Sequence, residues 1–305
     1  MTQRTKSKKT ETPVPEFPDF SAEVKDGMVS PAVIEQFREF VFSFYKTYGR
    51  HEMEWRHTTN PYLITVSEIM LQQTQVPRVE QIYPAFIKKF PTAEALAAAS
   101  EAEVLSAWQG MGYNRRALSL QKLCRIVAEE RNGVFPKDPD ELIKLPGLGP
   151  ATSCSIAAFA FNRPVVFIET NIRRIFIHCF FRDREEVDDS ELLPLVKAAL
   201  PENPREWYWA LMDLGSAMKG VSNPNRKSRQ YVKQSAFEGS NRQIRGEVLK
   251  RMLAVKKSDA ASAAKALGYP LEDVEGVFSA MEKEGFFVRD EAGVYSVKGK
   301  EDTKN

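Results

Sequence analysis

The sequence is poor in residues that hold metal ions or disulfides, with only three cysteines and three histidines among 305 residues. Neither residue type has the paired spacing of a zinc site or a disulfide framework. The cysteines stand in apolar helical stretches, which predicts buried, reduced thiols in an intracellular protein. No run of about 18 apolar residues occurs, so the sequence predicts no membrane-spanning helix.

The sequence also lacks a large excess of either charge. It contains 43 basic and 41 acidic residues, and the formal net charge is +2. This total is too small to indicate nucleic-acid binding. The distribution is uneven, however, since residues 226–257 contain ten basic residues and two acidic ones. Such a segment fits a polyanionic partner, and a solvated helix face is the alternative interpretation.

The pattern of the chain divides it into a tail, a helical body and a small module. Residues 1–30 contain basic residues and three prolines but no apolar stretch, so we expect a flexible basic tail, no secretory signal and a cytoplasmic protein, nucleoid-associated in a bacterium. Helical periodicity dominates residues 31–245, which predicts an all-α body. Three helical patterns and two alternating runs in residues 246–298 predict a winged-helix-like module, followed by a short tail at 299–305.

The run LPGLGPATS joins a glycine-containing turn to an apolar helix. The turn consists of Leu145, Pro146, Gly147, Leu148 and Gly149. Its glycines allow backbone conformations that a Cβ would oppose, and they leave N–H groups uncovered before the next helix. Those N–H groups and the positive end of the helix dipole, from Thr152 onward, suit a phosphate. An ordinary helix-turn-helix connection is the alternative.

Two glutamates stand in contrasting surroundings. Glu68 lies among apolar residues in SEIMLQQTQV, an environment that favours the protonated form and proton donation near neutral pH. Glu169 follows an extended apolar run and precedes a helix that we expect to begin near Thr170, with Thr170 as its cap. A helix N-terminus or nearby cation would keep Glu169 ionised. Two such carboxyls suit cleavage of a glycosidic bond, and an exposed acid and a paired acid remain the alternative.

Five motifs occur together in one order: SEIMLQQTQV, WQGMGYNRRA, LPGLGPATS, ETNIRR and LMDLG. In order and spacing, over roughly residues 35–220, they resemble the helix-hairpin-helix (HhH-GPD) base-excision DNA glycosylases. The chain looks most like the A/G-specific adenine DNA glycosylases of the MutY type and less like endonuclease III. The resemblance implies a two-lobed fold, with a six-helix lobe at about 62–165 and a second lobe from 31–61 plus 166–245.

The resemblance also implies roles for individual residues. Glu68 would protonate the leaving purine, and Glu169, supported by Asn171 and Arg174, would be the second carboxylate. The positions that would contact DNA are Gln72, Gln73, Tyr113, the turn Leu145 to Gly149, Thr152 and Arg174. Among these, Gln73 and Tyr113 would probe the base stack beside a nucleotide flipped out of the duplex. The implied partner is double-stranded DNA with a mismatched or damaged base, bound by a monomer.

The sequence departs from this family pattern in several places. Glu169 replaces the usual aspartate, and its extra methylene shifts the carboxylate by about 1 Å. Ala151 replaces the Schiff-base lysine of endonuclease III, which predicts a monofunctional glycosylase without lyase chemistry. The positions of the iron-sulfur cysteines read Lys219, Arg226, Arg229 and Ser235. We therefore expect no cofactor and no cluster, and a basic loop that contacts DNA or packs on the core.

Other functions stay open at this point. The C-terminal module is unlike the Nudix-like domain that reads 8-oxoguanine in the adenine enzymes, so a thymine, uracil or other damaged-base glycosylase is an alternative. A bifunctional lyase that uses a different amine is another. A non-catalytic DNA-binding protein on the same scaffold is the alternative from a different class, and only turnover discriminates it from an enzyme.

Overall fold

The computed structural model describes residues 14–220, 222–233 and 237–298, which form fourteen α-helices, four short 3-10 helices and three short strands. In chain order the helices are α1 (Pro31–Tyr48), α2 (Pro61–Leu71), α3 (Val76–Lys89), α4 (Ala93–Ala98), α5 (Glu101–Ala107), α6 (Arg115–Glu130), α7 (Pro139–Leu142), α8 (Pro150–Phe161), α9 (Thr170–Phe180), α10 (Asp189–Ala199), α11 (Pro204–Ala217), α12 (Asn241–Val255), α13 (Ala260–Leu267) and α14 (Leu271–Lys283). The strands are β1 (Lys257–Ser258), β2 (Phe287–Arg289) and β3 (Tyr295–Val297). The prediction of an all-helical body with a small C-terminal module is confirmed.

Local capping signals explain where several helices begin. The Ser30 side chain accepts a hydrogen bond from the Val33 N–H at the start of α1, and proline occupies the first helical position. Ser100 and Glu103 form a reciprocal capping box at the start of α5. These side chains satisfy backbone donors that have no partner within the helix, so the helices start where the sequence predicts.

The described residues divide into two compact units, the first drawn from Met1–His57 and Ser153–Val232, the second from Thr58–Thr152 and Lys233–Asn305. The boundary between them lies within α8. The C-terminal module therefore belongs to the second unit, whereas the sequence interpretation separated it from both lobes.

An aromatic cluster forms the core of the first unit. The Phe37 ring lies 5.1 Å from the Phe176 ring, 5.0 Å from that of Phe180 and 5.9 Å from that of Trp207, measured between centroids. All four side chains are almost completely buried. Burial of such large side chains dominates core energetics, and it joins α1, α9 and α11 into one body.

The second unit contains α2 to α7 and the C-terminal module. Phe86 and Trp108 pack edge to face with ring centroids 5.7 Å apart, and the buried Tyr62 hydroxyl donates to the Phe90 carbonyl at 2.6 Å. In the module, the Phe278 ring lies 4.7 Å from the Tyr295 ring. Its strands form an antiparallel sheet in the order β1-β3-β2. The predicted three helices (α12 to α14) and hairpin are present, with β1 as an added strand. The first helix of the module, α12, begins at Asn241, five residues before the start expected at 246, so the module as observed includes residues 241–298.

The N-terminal segment differs from the flexible tail expected for residues 1–30. Residues 1–13 lie outside the described residues, and the remainder packs within the first unit. Phe20 is buried, its ring stacks on Phe180 with centroids 5.5 Å apart, and its N–H donates to the Cys179 carbonyl at 2.7 Å. These contacts order a segment whose own sequence has no periodicity. Among the described helices, none is long and apolar enough to span a bilayer.

Candidate active site

In the first unit, Glu169 is the N-cap of α9. Its Oε1 accepts hydrogen bonds from the backbone N–H of Asn171 at 2.7 Å and of Ile172 at 2.9 Å. The expectation that Thr170 would cap this helix is wrong, because the carboxylate one residue earlier reaches the same N–H groups. Glu169 thus lies at the positive end of the α9 dipole, a position that fixes a carboxylate and favours its charge.

The second carboxylate oxygen of Glu169 is held by side chains. Oε2 accepts from the Asn171 amide nitrogen at 3.2 Å, and the Asn171 amide oxygen accepts from Arg174 Nη1, also at 3.2 Å. Arg174 is buried and also donates to the Gly215 carbonyl. A Cβ at Gly215 would lie 2.6 Å from the Asn171 Cβ. The resemblance grouped Glu169, Asn171 and Arg174, and the structure brings these three together in one hydrogen-bonded chain.

The pKa of Glu169 within this hydrogen-bonded group differs from the sequence expectation, which was that a helix N-terminus or a nearby cation would keep the carboxyl ionised. Burial raises the pKa of the Glu169 carboxyl above its ordinary value, and this effect exceeds the opposite influence of the Ile172 and Asn171 N–H groups and of the Arg174 charge. Burial likewise lowers the pKa of Arg174. The helix terminus therefore orients Glu169 without keeping its pKa low.

A buried ion cluster supports this region, and the sequence reasoning assigned it no role. Asp213 accepts a bidentate pair of hydrogen bonds from Arg56, both at 2.8 Å, and further bonds from the Arg50 backbone at 2.7 Å and side chain at 2.6 Å. Burial opposes ionisation, but the Arg56 and Arg50 groups hold the pKa of Asp213 below its usual value. The only sequence signal for this cluster was the LMDLG motif, which contains Asp213.

In the second unit, Glu68 lies in the C-terminal half of α2. Its side chain is half-buried, whereas its neighbours Ser67 and Ile69 are buried. The Asn60 side chain caps α2 by accepting from the Tyr62 N–H at 2.9 Å. The helix therefore fixes the Glu68 backbone at a position that is only partly buried.

The glycine turn connects α7 and α8, also in the second unit up to Thr152. Leu145 and Leu148 are buried, whereas Gly147 and Gly149 are exposed. Gly147 has φ +85°, and a Cβ there would lie 2.9 Å from the Ser119 Cβ, so glycine is required for two reasons. The first-turn N–H groups of α8 follow directly, as a phosphate-binding terminus needs. Pro146 is half-buried within this turn.

Gln72 fastens this turn to the end of α2. Its amide nitrogen donates to the Gly147 carbonyl and to the Thr152 hydroxyl, each at 3.2 Å. The resemblance placed Gln72 among DNA contacts, and the structure gives its amide a role in positioning the turn. Ala151 occupies the second residue of α8 and offers no amine.

The two residues expected to probe the base stack share an uncommon backbone conformation. Gln73 and Tyr113 are exposed and have φ values of +54° and +46°, in the left-handed region. Such conformations cluster at functional sites and persist when the surroundings hold them. An open groove of about 420 Å³ is lined by Gln73, Thr74, Gln75, Pro77, Arg78, Gln81, Gly110 and Met111. The groove thus touches both turns that carry these residues.

Arg116 ties these two turns together, and sequence reasoning missed it. Its guanidinium donates to Ile69 O (2.9 Å), Met70 O (3.0 Å), Gln72 O, Thr74 Oγ1 (3.0 Å), Met111 O (3.1 Å) and Gly112 O (3.1 Å). Three of these acceptors are carbonyls at the end of α2, which lack partners within the helix. Burial lowers the pKa of Arg116 to about 10. One planar cation therefore sets the backbone of both turns.

The loop that corresponds to the cluster cysteines packs within the first unit, as one of the two expectations for it stated. Asn225 is buried and donates to the Thr170 carbonyl at 3.1 Å, and Lys227 Nζ donates to the Arg182 carbonyl at 2.5 Å. Lys219, Arg226 and Arg229 offer no thiolate to an iron ion. Ser235, the fourth position, lies outside the described residues. No cluster of metal-binding side chains occurs in the described part of the chain.

Comparisons with known proteins agree with this geometry. A family profile described as HhH-GPD superfamily base excision DNA repair protein matches residues 66–194. The adenine DNA glycosylase of Mycolicibacterium smegmatis is 34% identical over 227 residues, covering 66% of this chain and 75% of the relative. That of Buchnera aphidicola is 34% identical over 190 residues, covering 62% of this chain and 54% of the relative. The solved structure of a thermostable thymine-DNA glycosylase superposes with a TM-score of 0.53 at 25% identity, over 60% of this chain and 86% of that chain.

Proposed function

Because this chain belongs to the HhH-GPD superfamily of base excision DNA repair proteins, we propose that it is a monofunctional DNA glycosylase that removes adenine opposite 8-oxoguanine or guanine. The relatives named adenine DNA glycosylase support the choice of base. The single observation that carries the proposal is the Glu169 carboxylate, held at the α9 N-terminus by two backbone N–H groups and Asn171.

The proposed reaction divides the work between two carboxyl groups. Glu68 protonates the departing purine, so that the electron pair of the N-glycosidic bond leaves on a neutral base. The Glu169 carboxylate stabilises the positive charge that develops on the sugar. Water then adds to the sugar and loses a proton, which leaves an abasic site.

Several features support the monofunctional and cofactor-free parts of the proposal. Without an amine at Ala151, no Schiff base forms there, so the DNA strand stays intact until alkali cleaves the abasic site. The basic side chains at Lys219, Arg226 and Arg229 support a protein that acts without an iron-sulfur cluster. We further propose that it binds mismatched or damaged duplex DNA as a monomer in the cytoplasm.

Glu169→Gln tests this proposal, with Glu169→Asp as its charged counterpart. Glutamine keeps the shape and a capping oxygen but has no negative charge, so single-turnover base release should fall on the order of 10³-fold. Aspartate keeps the charge and should retain far more activity than glutamine. Normal release by the Glu169→Gln enzyme would overturn the assignment.

A thymine mismatch glycosylase is the second candidate, favoured by the superposition on the thymine-DNA glycosylase structure. Release of thymine from T:G duplexes, with adenine duplexes left intact, would support it. A protein that binds these duplexes but releases no base from any of them would be a non-catalytic DNA-binding protein instead.

A further inference from the structure

The C-terminal module reaches the Tyr113 turn through Arg242. This arginine lies in the first turn of α12, 129 positions from Tyr113 in sequence, and its Nη1 donates to the Tyr113 hydroxyl at 2.7 Å. Its guanidinium carbon lies 5.8 Å from the centroid of the Tyr113 ring, within cation–π distance. The tyrosine is therefore held at its polar tip by a residue of the module.

A second contact fixes the module to the same turn. Glu284, directly after α14, accepts hydrogen bonds from Arg245 of α12, one of them at 3.0 Å, and from Arg115 at 2.9 Å. Arg115 is two residues from Tyr113. Burial alone would raise the pKa of Glu284, but the Arg245 and Arg115 groups hold it below its usual value. The Glu284 carboxylate is therefore charged at neutral pH. The hydrogen bonds from Arg245 and Arg115 to Glu284 therefore connect α12 to the residues next to Tyr113.

The backbone of the turn explains why such a hold matters. Tyr113 has φ +46°, an uncommon conformation for a residue with a Cβ, and it follows Gly112, whose φ is +68°. A residue with a Cβ keeps such a φ only when the surrounding structure holds it there. The Arg242 bond to the Tyr113 hydroxyl and the Arg116 bond to the Gly112 carbonyl at 3.1 Å are the surroundings that hold this turn.

From these contacts we infer that the C-terminal module is part of the base-probing apparatus, with Arg242 as a positioning residue that holds Tyr113 ready to enter the base stack. This inference rests on the proposed glycosylase function. Preorganisation lowers the ordering cost at the moment of binding, so loss of Arg242 slows base flipping and release more than it weakens overall DNA binding.

Four variants of the full-length chain test the inference. Arg242→Gln removes the charged donor, and Tyr113→Phe removes the hydroxyl while keeping the ring. The double variant completes a mutant cycle. The control is Lys250→Gln, which removes one positive charge from an exposed position on the same helix. Each protein is assayed on one adenine mismatch duplex for single-turnover release, for flipping by 2-aminopurine fluorescence, and for Kd over a salt series.

The expected pattern separates positioning from phosphate contact. Arg242→Gln and Tyr113→Phe should each slow flipping and release about tenfold, and the double variant should lose about tenfold rather than a hundredfold. The salt dependence of Kd should stay unchanged for Arg242→Gln, whereas a lost phosphate contact lowers the slope by about 1. Additive losses, or an Arg242→Gln enzyme that behaves like Lys250→Gln, would overturn the inference.

One further measurement separates this inference from the proposed function. Hydrogen exchange of the amides at residues 110–114 in the DNA-free protein should quicken in Arg242→Gln and stay unchanged in Lys250→Gln. If the wild type releases no base but this exchange difference appears, the function fails and the positioning contact stands. If the wild type releases base and the exchange is the same in both variants, the inference fails alone.

Discussion

The Glu169 region and the Gln73–Tyr113 region are held in opposite ways. Glu169 is half-buried and is fixed by donors only two and three residues away in sequence, Asn171 and Ile172. Gln73 and Tyr113 are exposed, and the hydrogen bonds that set their turns come from Arg116 and Arg242. Glu169 is thus held by residues next to it in sequence. The Gln73 turn is held by a bond from Arg116 that spans 44 positions, and the Tyr113 side chain by a bond from Arg242 that spans 129 positions.

This difference fits the tasks we assign to the two regions. A carboxylate that stabilises a developing charge has to stay where it is, and a helix N-cap is a rigid, preorganised setting for it. Side chains that enter a base stack have to be exposed. An exposed turn in an uncommon backbone conformation therefore needs hydrogen bonds from other residues to hold it. Variants of each support should therefore affect different measurements.

The largest expected effect comes from Asp213→Ala in the first unit. Removing this carboxylate leaves the buried Arg56 guanidinium unpaired, which should lower the free energy of unfolding by about 4 kcal/mol. Urea unfolding measures the loss. The control is Asp189→Ala, whose partner Arg173 and own side chain are more exposed, so the cost should be about 1 kcal/mol or less. Equal losses of unfolding free energy in both variants would show that the buried cluster around Asp213 contributes no more to stability than the more exposed pair.

Glu68→Gln tests the second unit at its proposed catalytic group. Without a proton donor, release of adenine should slow about a hundredfold in single-turnover assays, because a purine leaves best when protonated. Duplex binding should change little. An unaffected rate would exclude Glu68 as the acid and favour a substrate whose departure needs no proton.

Arg116→Lys should have a smaller effect, on the support of the probing turns. Lysine keeps the charge but not the planar fork, so most of the six hydrogen bonds are lost, at a cost of about 2 kcal/mol in the free energy of unfolding. Base flipping, followed with 2-aminopurine, should slow in parallel. Arg125→Lys on the same helix, which loses one bond to the Ala97 carbonyl, is the matched control. If both variants flip bases at the wild-type rate, Arg116 does not set the turns.

A change of one pH unit should have the smallest effect on base release, about tenfold at most. Burial raises the pKa of Glu169 above its ordinary 4.5, and only the ionised carboxyl stabilises a cation. The rate should therefore fall as pH drops through this raised pKa, approaching about tenfold per pH unit below it. DNA binding over the same range serves as the control. A rate that stays constant down to pH 4.5 while binding is unchanged would contradict this electrostatic account.

Sequence reasoning predicted the features whose causes are local. Ser30 and Ser100 start helices where expected, because an N-cap bonds to residues within its own first turn. The group formed by Glu169, Asn171 and Arg174 was predicted from one short motif. The cap itself was assigned to the neighbouring residue, since both Thr170 and a carboxylate at 169 satisfy the same local rule.

Features created by distant residues were missed. The motif WQGMGYNRRA contained Arg116 without indicating that it bonds to the end of α2, more than 40 positions away. The sequence around Tyr113 does not indicate a contact with Arg242. The strand β1 forms by pairing with β3, which lies almost 40 positions further along the chain. The count of basic residues in 226–257 suggested a surface for a polyanionic partner. It did not indicate that Arg242 and Arg245 form hydrogen bonds within the protein. Such contacts depend on the packing of whole helices, which periodicity alone does not specify.

The most direct test of the central claim is alkali-dependent cleavage of a duplex panel carrying A:8-oxoG, A:G, T:G, U:G and hypoxanthine. The wild-type protein should release adenine from the adenine duplexes, with strand breakage only after alkali and no adduct on borohydride treatment. Strand breakage without alkali together with a trapped adduct, or no base release from any duplex, would contradict the account.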